Sequence, residues 1–180
     1  MAPVKGHRTP VVIGWTEYVD LPDWGVRRLR AKVDTGARSS ALHVENIREF
    51  PRGIVRFDVV LHRVKRDQRV HVRAHVKRRS RVRSSNGELS HRLVVETTLR
   101  LGGVEKPIEV GLVDRAKMIH RMLLGRAALA GPFLVDVDHR MLQSKRRRQQ
   151  LRRTKQGGRR SRPTRSEAKP SEGRNPSASE

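Results

Sequence analysis

Leu29-Arg30-Ala31-Lys32-Val33-Asp34-Thr35-Gly36-Ala37 is the stretch from which the rest of the chain can be read. Leu29, Ala31 and Val33 point one way, while Arg28, Arg30 and Lys32 point the other, the alternation of a half-buried β-strand. The strand delivers a carboxylate at Asp34, a hydroxyl at Thr35 and a glycine at Gly36, where the backbone is expected to turn tightly. Continued alternation puts Asp34 on the face of Lys32 rather than on the core face.

Strand signals recur on both sides of this stretch. Val11-Val12-Ile13-Gly14-Trp15 reads as a short first strand, and Asp20-Leu21-Pro22-Asp23-Trp24-Gly25 as a turn. Pro51-Arg52-Gly53 breaks the chain after Ser39-Ser40-Ala41-Leu42-His43. Val55, Phe57, Val59 and Leu61 then form one apolar face, and Val70, Val72, Ala74 and Val76 another, a pair suited to a hairpin across Arg66-Asp67-Gln68. Ser84-Ser85-Asn86-Gly87 carries the Asn-Gly signal of a tight turn. Leu93 to Leu101 and Ile108 to Val113 add strands on either side of Gly102-Gly103. Met122-Leu123-Leu124-Gly125-Arg126 precedes a short Ala/Leu segment, Ala127 to Ala130, and a last apolar strand, Phe133-Leu134-Val135. Many short strands with little helix predict an all-β barrel or sandwich over residues 11–142.

Composition agrees with one domain and a tail. Among 180 residues, 35% are hydrophobic and only 3% aromatic, so the core must be built from Val, Leu, Ile and Ala. The absence of cysteine excludes a disulfide framework and thiolate metal sites. The polar stretch over residues 1–10 is expected to be disordered and lacks a secretory-type apolar run, and no segment has the length of a membrane span. The expected location is the cytoplasm. Residues 143–180, with Lys145-Arg146-Arg147-Arg148 and Arg159-Arg160 among Gln, Gly, Ser and Pro, cannot bury enough surface to offset their ordering entropy and are expected to be disordered. Residues 144–180 carry +10 of the net +23, so the domain itself is basic too and an anionic partner is plausible. A solvated Arg-rich surface and a solubilising tail are the plainer readings of the same charge.

The chemistry that suits Asp-Thr-Gly is peptide hydrolysis by two carboxylates sharing one proton, one activating a water while the other hydrogen-bonds the substrate carbonyl. The chain has one such motif; Asp114 precedes Arg115 and Asp136 precedes Val137. The second carboxylate must therefore come from another copy, and a twofold homodimer brings both Asp34 residues to one axis.

Asp34-Thr35-Gly36-Ala37 followed by Leu123-Leu124-Gly125-Arg126 resembles the retropepsins, single-domain aspartic peptidases of the retroviral type. Ala31 to His43, Val82-Arg83-Ser84-Ser85-Asn86-Gly87 and Met122 to Asp136 resemble more closely the bacterial retropepsin-like endopeptidases found alongside RimK-type glutamate ligases. The likeness covers roughly residues 11–142. It implies a pepsin/retropepsin-like closed β-barrel with one short helix. It further implies Asp34 as the catalytic acid/base, Thr35 bracing the loop across a dimer, Gly36 and Ala37 completing it, and Leu124 and Gly125 packed beneath it. Family members are associated with trimming glutamate tails from a small-subunit ribosomal protein, which implies an acidic polypeptide substrate.

Lys32 stands where retroviral enzymes carry an apolar residue. A cation beside a carboxylate favours its ionised form, which opposes a shared proton, but it can grip a substrate carboxylate. Lys32, with Arg83 or Arg126 and with Ser85 nearby in the motif, is the candidate acidic-substrate contact; an ion pair with a neighbouring acid is the plainer reading. The flap over the site is expected at the hairpin around Asp67 or at Asn86-Gly87. Family members are also labelled ATP-dependent zinc proteases, yet the chain has no His-Glu-x-x-His and no phosphate loop, so neither metal nor cofactor is expected. His71 and His75 share one face of an edge-like strand and read as solvent-exposed; His43 is close enough in sequence to line the site. The competing class is a non-catalytic basic β-barrel that binds RNA, the ribosome or an acidic protein, with weak RNA contact through the tail. A third is an inactive retropepsin fold acting as an adaptor.

Overall fold

The computed structural model describes residues 9–62, 68–83, 89–114 and 119–144. Among the described residues the strands and the short helix α1 run in the order β1 (Val11–Gly14), β2 (Thr16–Leu21), β3 (Val26–Val33), β4 (Ser40–Phe50), β5 (Ile54–Val60), β6 (Arg69–Arg83), β7 (Leu89–Leu101), β8 (Val104–Val113), β9 (Met122–Leu124), α1 (Arg126–Leu129) and β10 (Phe133–Asp136). The all-β expectation holds, with α1 as the short helix. No helix among the described residues is long and apolar enough to cross a membrane.

The main sheet has the order β2-β3-β9-β4-β5-β6-β7-β8, and two further pairings, β2 with β7 and β4 with β8, close it. Closure leaves few free strand edges, which is how small barrels satisfy their backbone hydrogen bonds. Inside lie Leu21, Leu29, Leu42, Leu99, Met122 and Leu124, all fully buried. Each such side chain contributes about 1.5–3 kcal/mol by leaving water. Buried Phe57 meets half-buried Trp24 edge-on, with ring centroids 5.4 Å apart.

Several strands match the sequence reading in kind and exceed it in length. β5 and β6 pair from Ile54↔His75 to Val60↔Arg69 as the expected hairpin strands. β7 and β8 meet at Gly102 and Gly103, whose φ values of 58° and 84° suit a two-residue hairpin that a Cβ would strain. β6 is not edge-like: it pairs with β5 through its first half and with β7 through its second. β10 pairs in parallel with β1, forming a small separate sheet.

After β10 the chain turns back along β2, where Trp15 N donates to His139 O (2.9 Å) and Met141 N to Thr16 O (2.8 Å). Buried Glu17 fastens this strap by accepting hydrogen bonds from Gly14 N (3.0 Å), Gln143 N (3.2 Å) and Ser144 Oγ (3.3 Å). Of the stretches expected to be disordered, 1–10 and 143–180, residues 1–8 and 145–180 lie outside the described residues, as do Asp67 and Asn86-Gly87 of the expected turns; Gln143 and Ser144 belong to the strap.

Candidate active site

Asp34 stands where β3 ends, half-buried, in the loop that leads to β4. β9 is wedged between the two strands, parallel to β3 (Val33↔Leu124) and antiparallel to β4 (Ala41↔Leu123). The short Leu-Leu-Gly-Arg segment therefore lies directly beneath the Asp34 loop. Asp34 N donates to Leu124 O (2.9 Å), Arg126 N to Ala37 O (2.9 Å) and Ala127 N to Arg38 O (3.0 Å). Ala37 N closes the loop on itself, 3.1 Å from Asp34 Oδ1.

The glycine that sterics demand here is Gly125. A Cβ on it would come 2.5 Å from Ser39 C and 2.8 Å from Arg38 O, both backbone atoms. Its N–H meets Ser40 Oγ at 3.2 Å. Gly36, expected to need glycine's freedom for a tight turn, is not among the glycines of positive φ. A Cβ there would find Asp34 Oδ1 at 3.4 Å, an ordinary contact. The turn is held by hydrogen bonds instead. Arg126 Nη1 donates to the carbonyls of Thr35 (2.9 Å) and Gly36 (2.8 Å), so its guanidinium grips the loop from below. The Thr35 and Gly36 tip is exposed. Among the described residues, no hydrogen bond or ion pair joins Asp34 to another carboxylate.

Lys32 is exposed on β3, opposite Thr16 on one side and Leu123 on the other. No described acid pairs with it, so the plain ion-pair reading of this lysine finds no partner. Its company is basic. Arg30 follows on the same face, and His120 lies at the entry to β9. Burial, then Arg30, then Lys32 hold the His120 pKa below 6.5. The His120 ring packs edge-on against Trp15 at 6.3 Å. His120 Nε2 and Arg30 Nε are buried without a hydrogen-bond partner among the described residues, a costly state for polar atoms. Arg30 was legible from the alternation that singled out Lys32. His120 was not, because only the pairing of β9 with β3 brings it there. Arg83 ends β6 and Ser85 lies outside the described residues.

The histidines divide. His43 is fully buried, with Nδ1 3.7 Å from Asp114 and Nε2 3.6 Å from Glu45, and its backbone N–H donates to Arg121 O (2.7 Å). His71 and His75 are exposed, but His71 has a carboxylate that sequence distance concealed, with Nδ1 2.6 Å from Asp58 Oδ1. No group of three or more metal-ligating side chains occurs among the described residues.

Comparison with known proteins follows the same outline. A family model described as RimB-like, retropepsin-like aspartic endopeptidase RimB, matches residues 12–146. A probable alpha-L-glutamate ligase of Shewanella halifaxensis is 38% identical over 128 residues, 69% of this chain and 28% of that one. Another from Parasynechococcus marenigrum is 37% identical over 129 residues, 70% and 28% of the two chains. This chain thus spans only about 28% of the length of these relatives. Among solved structures, Lpg0085 of Legionella pneumophila, described as of unknown function, superposes with a TM-score of 0.60 at 26% identity, covering 76% of this chain and 99% of that one. With an aspartate loop on a closed β-barrel and a family match over most of its length, the chain belongs to the RimB-like family of retropepsin-like aspartic endopeptidases.

Proposed function

We propose that the domain hydrolyses peptide bonds as a homodimer, with the Asp34 carboxylates of two copies flanking one water. The carrying observation is the single Asp34 loop, locked from below by Leu124, Gly125 and Arg126 and exposed at its tip. Such a loop is half of a carboxylate pair, and a twofold axis supplies the other half. With one proton shared between them, the ionised carboxylate takes a proton from water as the oxygen attacks the carbonyl carbon. The protonated partner hydrogen-bonds the carbonyl oxygen. Collapse of the tetrahedral species returns a proton to the leaving nitrogen, and no covalent enzyme intermediate forms. Thr35 at the exposed tip is the residue to brace one loop against the other.

The substrate we propose is an acidic polypeptide, such as a glutamate-extended ribosomal protein. Arg30 and Lys32 support this reading, being cations on the same face of the strand that delivers Asp34. The glutamate-ligase names of the relatives point the same way. The cytoplasm is the matching compartment.

The test uses the full chain, a peptide ending in a run of glutamates, and its glutamine counterpart. Wild type should sediment as a dimer and cleave the glutamate peptide preferentially. Asp34→Asn should remain dimeric and inactive, and Lys32→Ala should lose more on the glutamate peptide than on the glutamine one. Unchanged cleavage by Asp34→Asn, or an active monomer, would overturn the mechanism. Equal losses on both peptides would overturn the substrate assignment.

A further inference from the structure

On the outer face of strands β4, β5 and β6, three arginines stand side by side: Arg48 opposite Arg56, and Arg56 opposite Arg73. All three are exposed. Strict alternation from buried Val44 would turn Arg48 to the core side. A register shift between Glu45 and Arg48 reverses the parity, with Asn46 in the left-handed region at φ 54°. Bulges re-aim side chains in this way. Asp58 secures the arrangement, accepting from Asn46 Nδ2 (2.8 Å) and holding His71 Nδ1 (2.6 Å).

The charge on this face is uneven. Glu45 and Asp58, opposite each other in the next row, are taken up by Arg69, at 3.2 Å and 3.7 Å, and Asp58 also by His71. Arg48 and Arg73 have no carboxylate partner among the described residues, and Arg56 stacks over Phe50 with its guanidinium carbon 4.8 Å from the ring centre. Like charges directly opposite in a sheet are destabilising, so the row calls for an anion. Arg48, Arg56 and Arg73, with Asn46, Asp58 and His71, line a depression of about 650 Å³.

We propose that this face binds single-stranded RNA, separately from the Asp34 site. With neighbouring strands about 4.8 Å apart, the row is about 10 Å long and suits consecutive phosphates of one extended strand, which arginine pairs with bidentately. Planar groups border it, Phe50 and His75 on one side and His71 on the other. Bases stack on such groups, and an acidic peptide has no use for them. His71, held through Nδ1 by Asp58, leaves Nε2 as its remaining exposed ring nitrogen. A ribose 2′-hydroxyl, donor and acceptor alike, can hydrogen-bond to it, and deoxyribose cannot.

The experiment measures binding of the full chain to a fluorescent twelve-nucleotide oligouridylate across a salt series, with the deoxy strand of the same sequence alongside. A variant with Arg48→Gln, Arg56→Gln and Arg73→Gln is compared with one of equal charge loss at exposed Arg27, Arg81 and Arg140. Each lost phosphate contact lowers the log–log salt slope by about 0.7 for a single strand, so the row variant should lose about 2. It should also bind at least about tenfold more weakly at moderate salt, while the control changes little. His71→Phe should erase the preference for RNA over DNA. A slope unchanged in the row variant, or an equal loss in the control, would overturn the site. RNA and DNA bound equally by wild type would overturn the RNA assignment. Displacement of RNA from the row by oligoglutamate at matched charge would reassign the face to an acidic polypeptide and overturn the proposal.

Discussion

Replacing Gly125 by alanine should damage both stability and catalysis, whereas the same change at Gly36 should leave stability nearly intact. At Gly125 the new methyl would sit 2.5 Å from Ser39 C and 2.6 Å from Ser39 O, and relief to an ordinary contact of 3.4 Å requires a backbone shift of about 0.9 Å. Both clashing atoms are main chain, so no rotamer change absorbs the strain. The shift pulls on the three backbone hydrogen bonds that tie residues 34–38 to residues 124–127. Overpacking of this kind costs about 1–3 kcal/mol, and one weakened hydrogen bond adds about 1 kcal/mol. A total of roughly 2–4 kcal/mol lowers the melting temperature by about 8–16 °C for a domain of this size. Because Asp34 N is one of the tied groups, the carboxylate moves with its loop. A displacement near 1 Å costs about a hundredfold in rate when two groups must meet around one water. Gly36→Ala meets only Asp34 Oδ1, at 3.4 Å, without a positive φ to strain, and should lose less than about 1 kcal/mol. The assays are thermal unfolding and cleavage of the glutamate peptide. A Gly125→Ala protein that melts within 2 °C of wild type and cleaves normally would refute the close-packing argument, as would Gly36→Ala being the less stable of the two.

Arg126→Ala removes the two donations to Thr35 and Gly36 carbonyls from an exposed guanidinium. It should cost only about 0.5–1.5 kcal/mol in urea unfolding, with a larger proportional loss in kcat than in stability. His43 has its pKa held below 6.5 by burial and then by Arg121, against the opposing pull of Asp114 and Glu45. The unfolded chain then takes this proton first, so stability should be complete above pH 6.5 and fall as the pH drops toward the folded-state value. His43→Gln should flatten that part of the stability–pH curve, and a curve unchanged by it would locate the effect elsewhere. Glu17→Ala removes the acceptor of Gly14 N, Gln143 N and Ser144 Oγ from a fully buried position. It should cost roughly 3 kcal/mol and hasten tryptic cutting at Arg140.

How far the sequence reaches depends on whether a signal is local. β5, β6, β7 and β8 were legible because one face of each alternates toward the core over several residues. β4 was passed over as a strand. Its residues 40–44 are buried in succession, its outer half is polar, and the bulge at Asn46 changes parity midway. The edge-like reading of β6 failed because its apolar face identifies the core and not its neighbours in the sheet. Val60 is fully buried though it shares a face with Arg56, a consequence of what packs over that end of β5.

The sequence by itself determined the all-β class and the lone Asp34 motif, which follow from residue type and order along a few positions. The place of Leu124, Gly125 and Arg126 beneath that loop came from the resemblance to the retropepsins, and the structure bears it out. Only the tertiary structure decided which glycine is sterically obligatory, what Arg126 grips, and that Lys32 has Arg30 and His120 for company in place of an acid. It also decided that Asp58 reaches Asn46 and His71, and that Arg48, Arg56 and Arg73 form one row. Those facts depend on strand register and on a one-residue bulge. Register brings together residues far apart in the chain, and a single added residue turns a side chain to the opposite face.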